Sequence, residues 1–351
     1  MTGKKKVLCF MPSMPDGAQR MMLTLLKQLD PDKYNVKIVI VHQKLLGIEN
    51  FIPQHFDMLH IKIRNIWDFT ITKMVKAIRK EKADFLFSSI FYMNLRVVIA
   101  GKLTGVPVIL RNDNYVSIMS RRQRWVTNTV YKWAKCVIMQ QEEMLDEFKQ
   151  TFHFPDNKMV VIHNPIDTET IDRLIDEPSP YPNEDQVKFV NVARFKRKKG
   201  QDVLAEAFIK VHEKIPNAHL YYVGNYKEVN PIYDKVLEII RLAGLEKYVH
   251  FVGQQMNPYK WMKHSDCFVL SSRLEGLPNV LLEAMYIGKP VVSTTCIDVI
   301  SRIVKDGYNG YLVPSESPTA LAEAMIKALV LKDFKMTYKP DDMELFRKLF
   351  T

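Results

Sequence analysis

The sequence predicts an α/β protein built from two doubly wound halves, and three observations support this. Short apolar runs, of the kind that form strands buried on both faces, alternate with amphipathic helical segments along most of the chain. The alternation pauses in the polar, proline-rich stretch 176–185 and then restarts. The length of 351 residues exceeds what one hydrophobic core usually serves. Two α/β domains, with a boundary near 165–185, are therefore expected.

The first half contains regularly spaced candidate strands and helices. Apolar runs predict strands at 5–11, 34–41, 58–63, 84–88, 107–110, 136–139 and 159–162. Helical periodicity predicts helices after the loop 12–17 and at 68–81, 92–104, about 120–135 and about 141–152. Gly105 suits the end of the helix 92–104, because glycine readily adopts the left-handed conformation found there.

The second half repeats the pattern. Strands are predicted at 188–193, 218–224, 250–253, 268–270 and 290–294. Helices are predicted at 201–214, 231–243, near 257–264, from Pro278 onward, at 318–331 and at about 341–350. A turn is expected between Gly307 and Gly310.

The formal net charge of +11 favours an anionic partner. A nucleotide diphosphate, nucleic acid and an acidic membrane surface all fit, and basic runs are commonly solvated faces, so charge alone does not choose among them. No helix-turn-helix, RNA-binding or zinc motif accompanies the charge, and a nucleic-acid partner is not expected.

The four cysteines are far apart and lack metal-ligand spacing, so we expect reduced thiols in a cytoplasmic protein and no metal or other cofactor. The apolar run after Lys6 is too short for a signal peptide and predicts a first strand. No apolar stretch approaches the roughly 20 residues that span a bilayer, so any membrane contact is expected to be peripheral, on the inner face of the cytoplasmic membrane.

The stretch 267–285 combines a strand, a turn and a helix start. The apolar run 268–270 leads into the turn 271–277, and Pro278 stands where a helix begins. Glu275 and Glu283 bracket that helix start, whose N–H groups and dipole favour an anion such as a phosphate. Taken alone, the stretch is more typical of a solvated turn with two ordinary glutamates.

Several motifs occur together in a fixed order. They are Val192-Ala-Arg194-Phe-Lys-Arg-Lys-Lys199-Gly200, Tyr222-Val-Gly224, Phe251-Val-Gly253, Glu275-x7-Glu283 with Gly276-Leu-Pro278, and Asp306-Gly307-Tyr-Asn-Gly310-Tyr-Leu-Val-Pro314. Two weaker matches in the first half are Asp16-Gly17-Ala18-Gln19-Arg20 and Val161-Ile-His-Asn164-Pro-Ile-Asp167. Together they resemble the retaining GT-B glycosyltransferases of family 4, continuously over roughly 187–330.

The resemblance implies a domain arrangement. Two Rossmann-like domains would face each other across a cleft, with an acceptor-side domain at 1–165 and a nucleotide-sugar-binding domain at 166–331. The tail 332–351 would pack back on the N-terminal domain.

The resemblance also implies roles at the donor site. Arg194 and Lys199 follow a strand at the carboxyl edge of its sheet and would neutralise the departing diphosphate in place of a divalent metal. Glu275 would contact the sugar hydroxyls and hold the donor for attack, and Glu283 would accept hydrogen bonds from the ribose.

The remaining donor contacts follow from the same resemblance. Backbone groups of the helix start would face the donor, namely those of Gly276, Leu277, Pro278, Asn279, Val280 and Leu281. Gly253 precedes the loop expected against the base, and Gly17 would approach the phosphate from the opposite wall. Around Gly17 this chain departs from the family, since Asp16 replaces a glycine and Gln19 a glutamate.

The acceptor side is less defined. Many relatives place a histidine where this chain has Arg111-Asn112-Asp113-Asn114, so no catalytic histidine is assigned. Asn112 and Asp113 either line the acceptor side or stabilise their own loop, and both interpretations stay open.

The segment 121–133 mixes cations with Trp125, Tyr131 and Trp133. It fits docking on an anionic membrane and, equally, a partly buried helix with a basic outer face.

The function implied is retaining transfer of a hexosyl or N-acetylhexosaminyl group from a nucleotide-diphosphate sugar, UDP-linked by preference. The acceptor would be a hydroxyl of a glycan or lipid-linked glycan in cell-surface polysaccharide or glycolipid synthesis. A GT-B sugar-nucleotide epimerase is the alternative within the fold, and a basic nucleic-acid-binding protein is the alternative outside it.

Overall fold

The structure is a computed structural model that describes residues 3–14, 17–64, 70–226, 230–332, 336, 338 and 342–351. Asp16 and the first two residues of the helix predicted at 68–81 lie outside these residues. Two compact units divide the chain, one formed by 1–165 with 340–351 and the other by 166–339. Each unit is described by itself.

Strands occur at regular intervals in both units. In the N-terminal unit they are β1 Lys5–Pro12, β2 Tyr34–His42, β3 Asp57–Lys62, β4 Phe85–Ser89, β5 Val108–Arg111, β6 Cys136–Met139 and β7 Met159–Val161. In the C-terminal unit they are β8 Val187–Val192, β9 Ala218–Val223, β10 Val249–Gly253, β11 Cys267–Leu270, β12 Val291–Thr294 and β13 Gly310–Val313.

Helices connect these strands. Up to the end of the first unit's sheet they are α1 Gly17–Leu26, α2 Thr70–Glu81, α3 Phe91–Thr104, α4 Arg121–Val130 and α5 Glu142–Thr151. The next are α6 Thr168–Leu174, α7 Gln201–Lys214, α8 Pro231–Leu242, α9 Tyr259–Lys263, α10 Asn279–Tyr286, α11 Val299–Ile303 and α12 Pro318–Ala328. Helix α13, Met343–Lys348, returns to the N-terminal unit.

Within the described residues, each unit is organised around one parallel sheet. The N-terminal sheet has the strand order β3-β2-β1-β4-β5-β6-β7, and the C-terminal sheet has the order β10-β9-β8-β11-β12-β13. In both, the first strand lies inside the sheet, with later strands added on either side. This is the order of a doubly wound fold, so the predicted architecture of two Rossmann-like units is confirmed.

Both sheets are buried on their two faces by helices. Successive residues of β11 alternate between two hydrophobic clusters, since Cys267 and Val269 pack on one side and Phe268 and Leu270 on the other. The first cluster includes buried residues of α7, α8 and α12, and the second includes those of α9, α10 and α11. The apolar runs of the sequence are explained by this two-sided burial.

The C-terminal tail contributes to the N-terminal core. Phe346 and Phe350 are fully buried, and the Phe350 ring lies 5.7 Å from Phe85 and 6.1 Å from Phe87 between centroids. The Asp342 carboxylate accepts a hydrogen bond from the backbone N–H of His163 at 2.9 Å. Met336 lies within the tail 332–351 that was predicted to pack on the N-terminal domain, but it packs against the C-terminal unit.

Some elements differ from the predictions. The helix predicted at about 120–135 ends at Val130 and continues as a 3-10 turn over Tyr131–Trp133. The short helices α6 and α11 and the edge strand β13 were not predicted. They are only four to seven residues long, too short for a periodic pattern to identify. Among the described helices, none is long and apolar enough to cross a bilayer.

Candidate active site

Two loops meet at the centre of the C-terminal sheet. Strand β8 pairs with β9 on one side and with β11 on the other. The chain adds β9 and β10 on the first side and then returns to add β11 on the second. Such a reversal of strand order opens a crevice at the carboxyl ends of the strands, where doubly wound folds bind ligands. Residues 193–200 follow β8 and residues 271–278 follow β11, so both loops lie at this crevice.

The two loops are held together through their backbones. Gly200 has φ +64°, and a Cβ atom on it would lie only 2.0 Å from the carbonyl oxygen of Ser271. The Ser271 hydroxyl donates to the carbonyl of Lys199 at 3.0 Å, and the backbone N–H of Arg273 donates to that of Lys198 at 2.8 Å. A side chain at position 200 would not fit, and this fixes how Lys199 meets the second loop.

Lys199 and Glu275 form the central pair of the site. The Lys199 Nζ atom lies 2.6 Å from Glu275 Oε1, and the Ser272 hydroxyl donates to the same oxygen at 2.6 Å. The Glu275 side chain is 6% exposed and that of Lys199 is 20% exposed. The sequence predicted both residues, and the structure brings them together. Ser272 was missed, because a serine in a turn carries no distinguishing pattern.

A network of ion pairs connects the second loop, 271–278, to α7. Arg273 donates to the Asp202 carboxylate at 2.7 and 3.0 Å and also contacts Glu316, while Lys235 lies 2.8 Å from Asp202. Burial opposes the ionisation of Asp202, but the hydrogen bonds from Arg273 and Lys235 outweigh it and lower the pKa of this carboxyl to about 2. The network attaches the turn to the first helical turn of α7.

Arg194 follows β8 and is half-buried. Its neighbour Phe195 is buried among the rings of Tyr222, Tyr233 and Phe251, at centroid distances of 5.3 to 5.9 Å. The carbonyl of Arg194 accepts a hydrogen bond from Gln201 Nε2 at 3.0 Å. Arg194 is therefore held on its loop by a buried aromatic anchor on one side and a backbone contact on the other.

The start of α10 differs in detail from the prediction. Pro278 occupies the N-cap position, and the helix begins at Asn279. The backbone N–H of Leu281 donates to the carbonyl of Pro278 at 2.9 Å, which removes it from the groups expected to face an anion. Leu281, Leu282, Ala284 and Met285 are buried, whereas Val280 and Glu283 are half-buried.

The other residues of this stretch lie in the turn itself. Gly276 is half-buried, and Leu277 and Pro278 are buried. Cys296 follows β12. Burial first and the nearby Glu275 carboxylate second raise the pKa of its thiol to about 11, so Cys296 lies close to the Lys199–Glu275 pair. No sequence pattern indicates Cys296, because its position depends on how β12 ends beside β11.

The two glycines expected at the donor lie in different units. Gly253 ends β10 with φ +80°, and its carbonyl accepts a hydrogen bond from the N–H of Gly224 at 2.9 Å. Gly17 is the first residue of α1 in the N-terminal unit, with open space where a Cβ would be. Its predicted contact with the donor stays a prediction.

Asn112 and Asp113 follow β5 in the N-terminal unit. The Asn112 amide donates to the carbonyl of Asn114 at 2.8 Å. The Asp113 carboxylate accepts from Arg111 at 2.5 Å and from Gln140 at 3.0 Å, and also contacts the Ser89 hydroxyl. These contacts fit the loop-stabilising interpretation, and the acceptor-side role stays a prediction.

No group of three or more histidine, cysteine, aspartate or glutamate side chains that could hold a metal ion occurs among the described residues. Charged groups at the crevice include Lys199 of the first loop and Glu275 of the second, which form an ion pair. This arrangement suits an anionic ligand that also carries hydroxyl groups.

Comparison with known families covers both units. The family profile described as glycosyl transferases group 1 matches residues 172–340, and that described as Glycosyltransferase Family 4 matches residues 15–170. An uncharacterized glycosyltransferase of Methanocaldococcus jannaschii is 30% identical, over 84% of this chain and 76% of the relative. An Escherichia coli UDP-Gal:α-D-GlcNAc-diphosphoundecaprenol α-1,3-galactosyltransferase is 25% identical, over 74% of this chain and 69% of the relative.

A solved structure with the same fold is that of Anabaena HepE in complex with UDP and glucose. It superposes with a TM-score of 0.77 at 17% identity and covers 99% of this chain and 95% of its own. Since the two profiles match successive parts of the chain and the M. jannaschii relative is aligned over most of its own length, the chain belongs to the family 4 glycosyltransferases (glycosyl transferases group 1) and has the GT-B fold.

Proposed function

We propose that the chain transfers a hexosyl or N-acetylhexosaminyl group from a UDP-linked sugar to a hydroxyl of a lipid-linked glycan, with retention of anomeric configuration. The observation that carries the proposal is the Lys199–Glu275 pair at the switch point of the C-terminal sheet, with a 2.6 Å contact. In this proposal the Lys199 ammonium binds the diphosphate and the adjacent Glu275 carboxylate binds hydroxyls of the sugar.

Each side chain has a defined role in this proposal. Arg194 and Lys199 stabilise the negative charge that develops on the departing diphosphate, the role a divalent metal plays in other transferases. Glu275 accepts hydrogen bonds from the transferred sugar, and Glu283 accepts them from the ribose. The start of α10 at Asn279 and Val280 presents its positive dipole end to the phosphates.

The reaction exchanges one bond at the anomeric carbon. The bond from that carbon to the diphosphate oxygen breaks, and the diphosphate leaves with the electron pair. The acceptor hydroxyl oxygen forms the new bond on the same face of the sugar, and its proton passes to the departing diphosphate. Lys199 already contacts Glu275, so charge stabilisation requires little reorganisation of the two loops.

Two similar proteins support the choice of substrates. Anabaena HepE was solved in complex with UDP-glucose, which supports a UDP-linked donor. The E. coli relative is named for a galactosyl transfer to a sugar on diphosphoundecaprenol, which supports a lipid-linked acceptor in cell-surface polysaccharide or glycolipid synthesis.

Thermal-shift titrations with UDP-, GDP- and ADP-sugars test the donor site. We expect UDP-sugars to stabilise the wild type, and Lys199→Ala and Glu283→Gln each to weaken binding by about 10-fold or more, the usual effect of removing a hydrogen bond to a charged group. Lys196→Ala is the matched control, since it removes an exposed cation from the same loop and should change binding little. If neither site variant weakened donor binding, the assignment would be wrong.

The anomeric outcome needs a separate measurement. Slow hydrolysis of the preferred UDP-sugar, followed by proton NMR, should first release the sugar in the donor's own configuration. Release of the opposite anomer would exclude retention, and isomerisation of the donor sugar without transfer would indicate an epimerase.

A further inference from the structure

We propose that the outer surface of α4 and its flanking turns binds an anionic lipid membrane. This docking surface is defined by Arg121, Arg122 and Trp125 of α4, by Ile118 and Trp133 of the flanking turns, and by Leu103 of the neighbouring helix α3. The proposal rests on the lipid-linked acceptor of the proposed function, because such an acceptor is embedded in a membrane. Its test measures vesicle binding and is therefore separate from donor binding.

Large apolar side chains are exposed on α4 and on the elements next to it. Trp125 is 68% exposed, Leu103 59%, Trp133 51% and Ile118 49%. They come from neighbouring elements, since α3 contacts both α4 and the turn Tyr131–Trp133. A group of exposed apolar side chains, two of them tryptophan, is typical of an interaction surface, and tryptophan favours the interface between lipid and water.

The same region is strongly basic. Residues 91–135 contain one acidic residue, Asp113, whose carboxylate contacts Arg111 at 2.5 Å. From α5, the Glu147 carboxylate accepts hydrogen bonds from the N–H groups of Val116 and Ser117 at 2.6 and 2.7 Å. The lysines and arginines of this range are Arg96, Lys102, Arg111, Arg121, Arg122, Arg124, Lys132 and Lys135. Arg121 and Arg122 are exposed at the start of α4 and, at i,i+4 and i,i+3 spacing, share its outer face with Trp125. Basic residues around exposed tryptophans complement an anionic membrane surface.

The apolar side chains are presented by fixed turns. The Arg124 guanidinium donates to the carbonyls of Ser117 and Met119, each at 3.2 Å, and these carbonyls flank Ile118. Ser120 caps α4, and its side chain accepts from the N–H of Gln123. The turn that carries Trp133 is held by Tyr131, which is fully buried with its hydroxyl 3.2 Å from the Asn94 amide. Docking would therefore require little ordering of the protein.

A lipid surface fits these features better than a soluble polyanion. An acidic soluble polymer would satisfy the cations but leave the isoleucine, leucine and tryptophan side chains in water. A membrane accepts both groups at once, with the apolar side chains in the acyl boundary and the guanidinium groups among the phosphates. Single-stranded nucleic acid is the competing partner, because its bases can stack on tryptophan.

Co-sedimentation of the full chain with vesicles tests the proposal. We expect binding to vesicles of phosphatidylglycerol and phosphatidylcholine, weakened by salt, and little binding to phosphatidylcholine alone. Arg121→Gln/Arg122→Gln should reduce partitioning by about 30-fold, from the effect of two basic side chains near an anionic surface. Trp125→Ala should reduce it further, and brominated lipids should quench tryptophan fluorescence in the wild type.

Two control variants use exposed residues of the C-terminal unit. Lys210→Gln/Lys214→Gln removes the same charge from α7, and Leu242→Ala removes an exposed apolar side chain from α8. Both should bind vesicles like the wild type, and all variants should keep their stabilisation by UDP. Three results would each overturn the proposal. The control variants could lose as much vesicle binding as the α4 variants, or the wild type could fail to bind anionic vesicles. The third is that Trp125→Ala abolishes binding to RNA but leaves vesicle binding unchanged.

Discussion

At the scale of single residues, the proposed donor site depends on a backbone contact as much as on its charged groups. Gly200 lies immediately after Lys199 and immediately before α7, where its φ of +64° and its approach to Ser271 exclude a side chain. The Lys199 ammonium reaches Glu275 because the two loops approach this closely. A methyl group at position 200 would therefore act on the geometry of the pair without removing either charge.

Gly200→Ala should destabilise the C-terminal unit more than Gly244→Ala. Gly244 has a similar φ of +67° with open space around its Cβ position, so alanine there costs only the backbone strain of about 1 kcal/mol. At Gly200 overpacking against Ser271 adds roughly 1–3 kcal/mol. Urea unfolding measures both, and UDP binding should weaken in Gly200→Ala alone. Equal losses of stability in the two variants would contradict the contact.

The sequence predicts the charged residues proposed for this site better than it predicts the residues that hold them in place. Arg194, Lys199, Glu275 and Glu283, the residues proposed to bind the donor, stand in motifs that the sequence shows directly. Ser272, Cys296 and the ion pair between Arg273 and Asp202 depend on which loops meet in three dimensions. In the sequence, Ser272 and Cys296 are about 70 to 100 residues from Lys199, and Arg273 is about 70 residues from Asp202. No local sequence pattern predicts contacts over such separations.

At the scale of elements, the strands and long helices were predictable because two-sided burial produces continuous apolar runs and amphipathic helices produce a 3.6-residue period. The division of the α4 region into a helix and a 3-10 turn was not predictable, since the buried Tyr131 that anchors the turn suits either conformation. Edge strand β13 has two half-exposed residues in its centre and therefore lacks the full apolar run of β11.

Adjacent strands β9 and β10 carry a histidine pair that should make the C-terminal unit sensitive to acid. His219 Nδ1 lies 2.9 Å from His250 Nε2, and Tyr221 stacks on His250 at 4.3 Å. Burial first and His219 second lower the pKa of His250 to about 4, and burial and His212 lower that of His219. The unfolded chain therefore binds more protons than the folded chain between about pH 4 and 6.5, so stability should fall as pH decreases through this range.

Urea unfolding of the C-terminal unit at several pH values measures this effect. His250→Phe should reduce the loss of stability between pH 6.5 and 4.5, whereas His55→Phe, at an exposed histidine of the N-terminal unit, should leave it unchanged. The difference should stay below the roughly 1.4 kcal/mol per pKa unit of a fully buried group, since water screens this half-buried pair. An unchanged pH profile in His250→Phe would contradict the assignment.

At the scale of the whole molecule, each unit has its own sheet and hydrophobic clusters. The predicted donor residues, except Gly17, belong to the C-terminal unit, whereas the tail phenylalanines belong to the N-terminal core. Ligand binding and tail mutations should therefore act on different parts of the unfolding profile. Units with separate cores commonly unfold in separable transitions, and calorimetry can assign each transition to its unit.

Phe350→Ala should lower one calorimetric transition by on the order of 10 °C, because loss of a buried phenylalanine costs about 3–5 kcal/mol. Leu345→Ala, at an exposed position of the same C-terminal tail, is the control and should change it little.

UDP at about 100 times its dissociation constant adds roughly 2.7 kcal/mol to the stability of the unit that binds it and should raise the other transition by about 5–10 °C. If UDP also raised the transition that Phe350→Ala lowers, the N-terminal unit would share in donor binding, as predicted for Gly17. If UDP raised that transition alone, the donor site would not be in the C-terminal unit, and the roles proposed for Lys199 and Glu283 would be wrong.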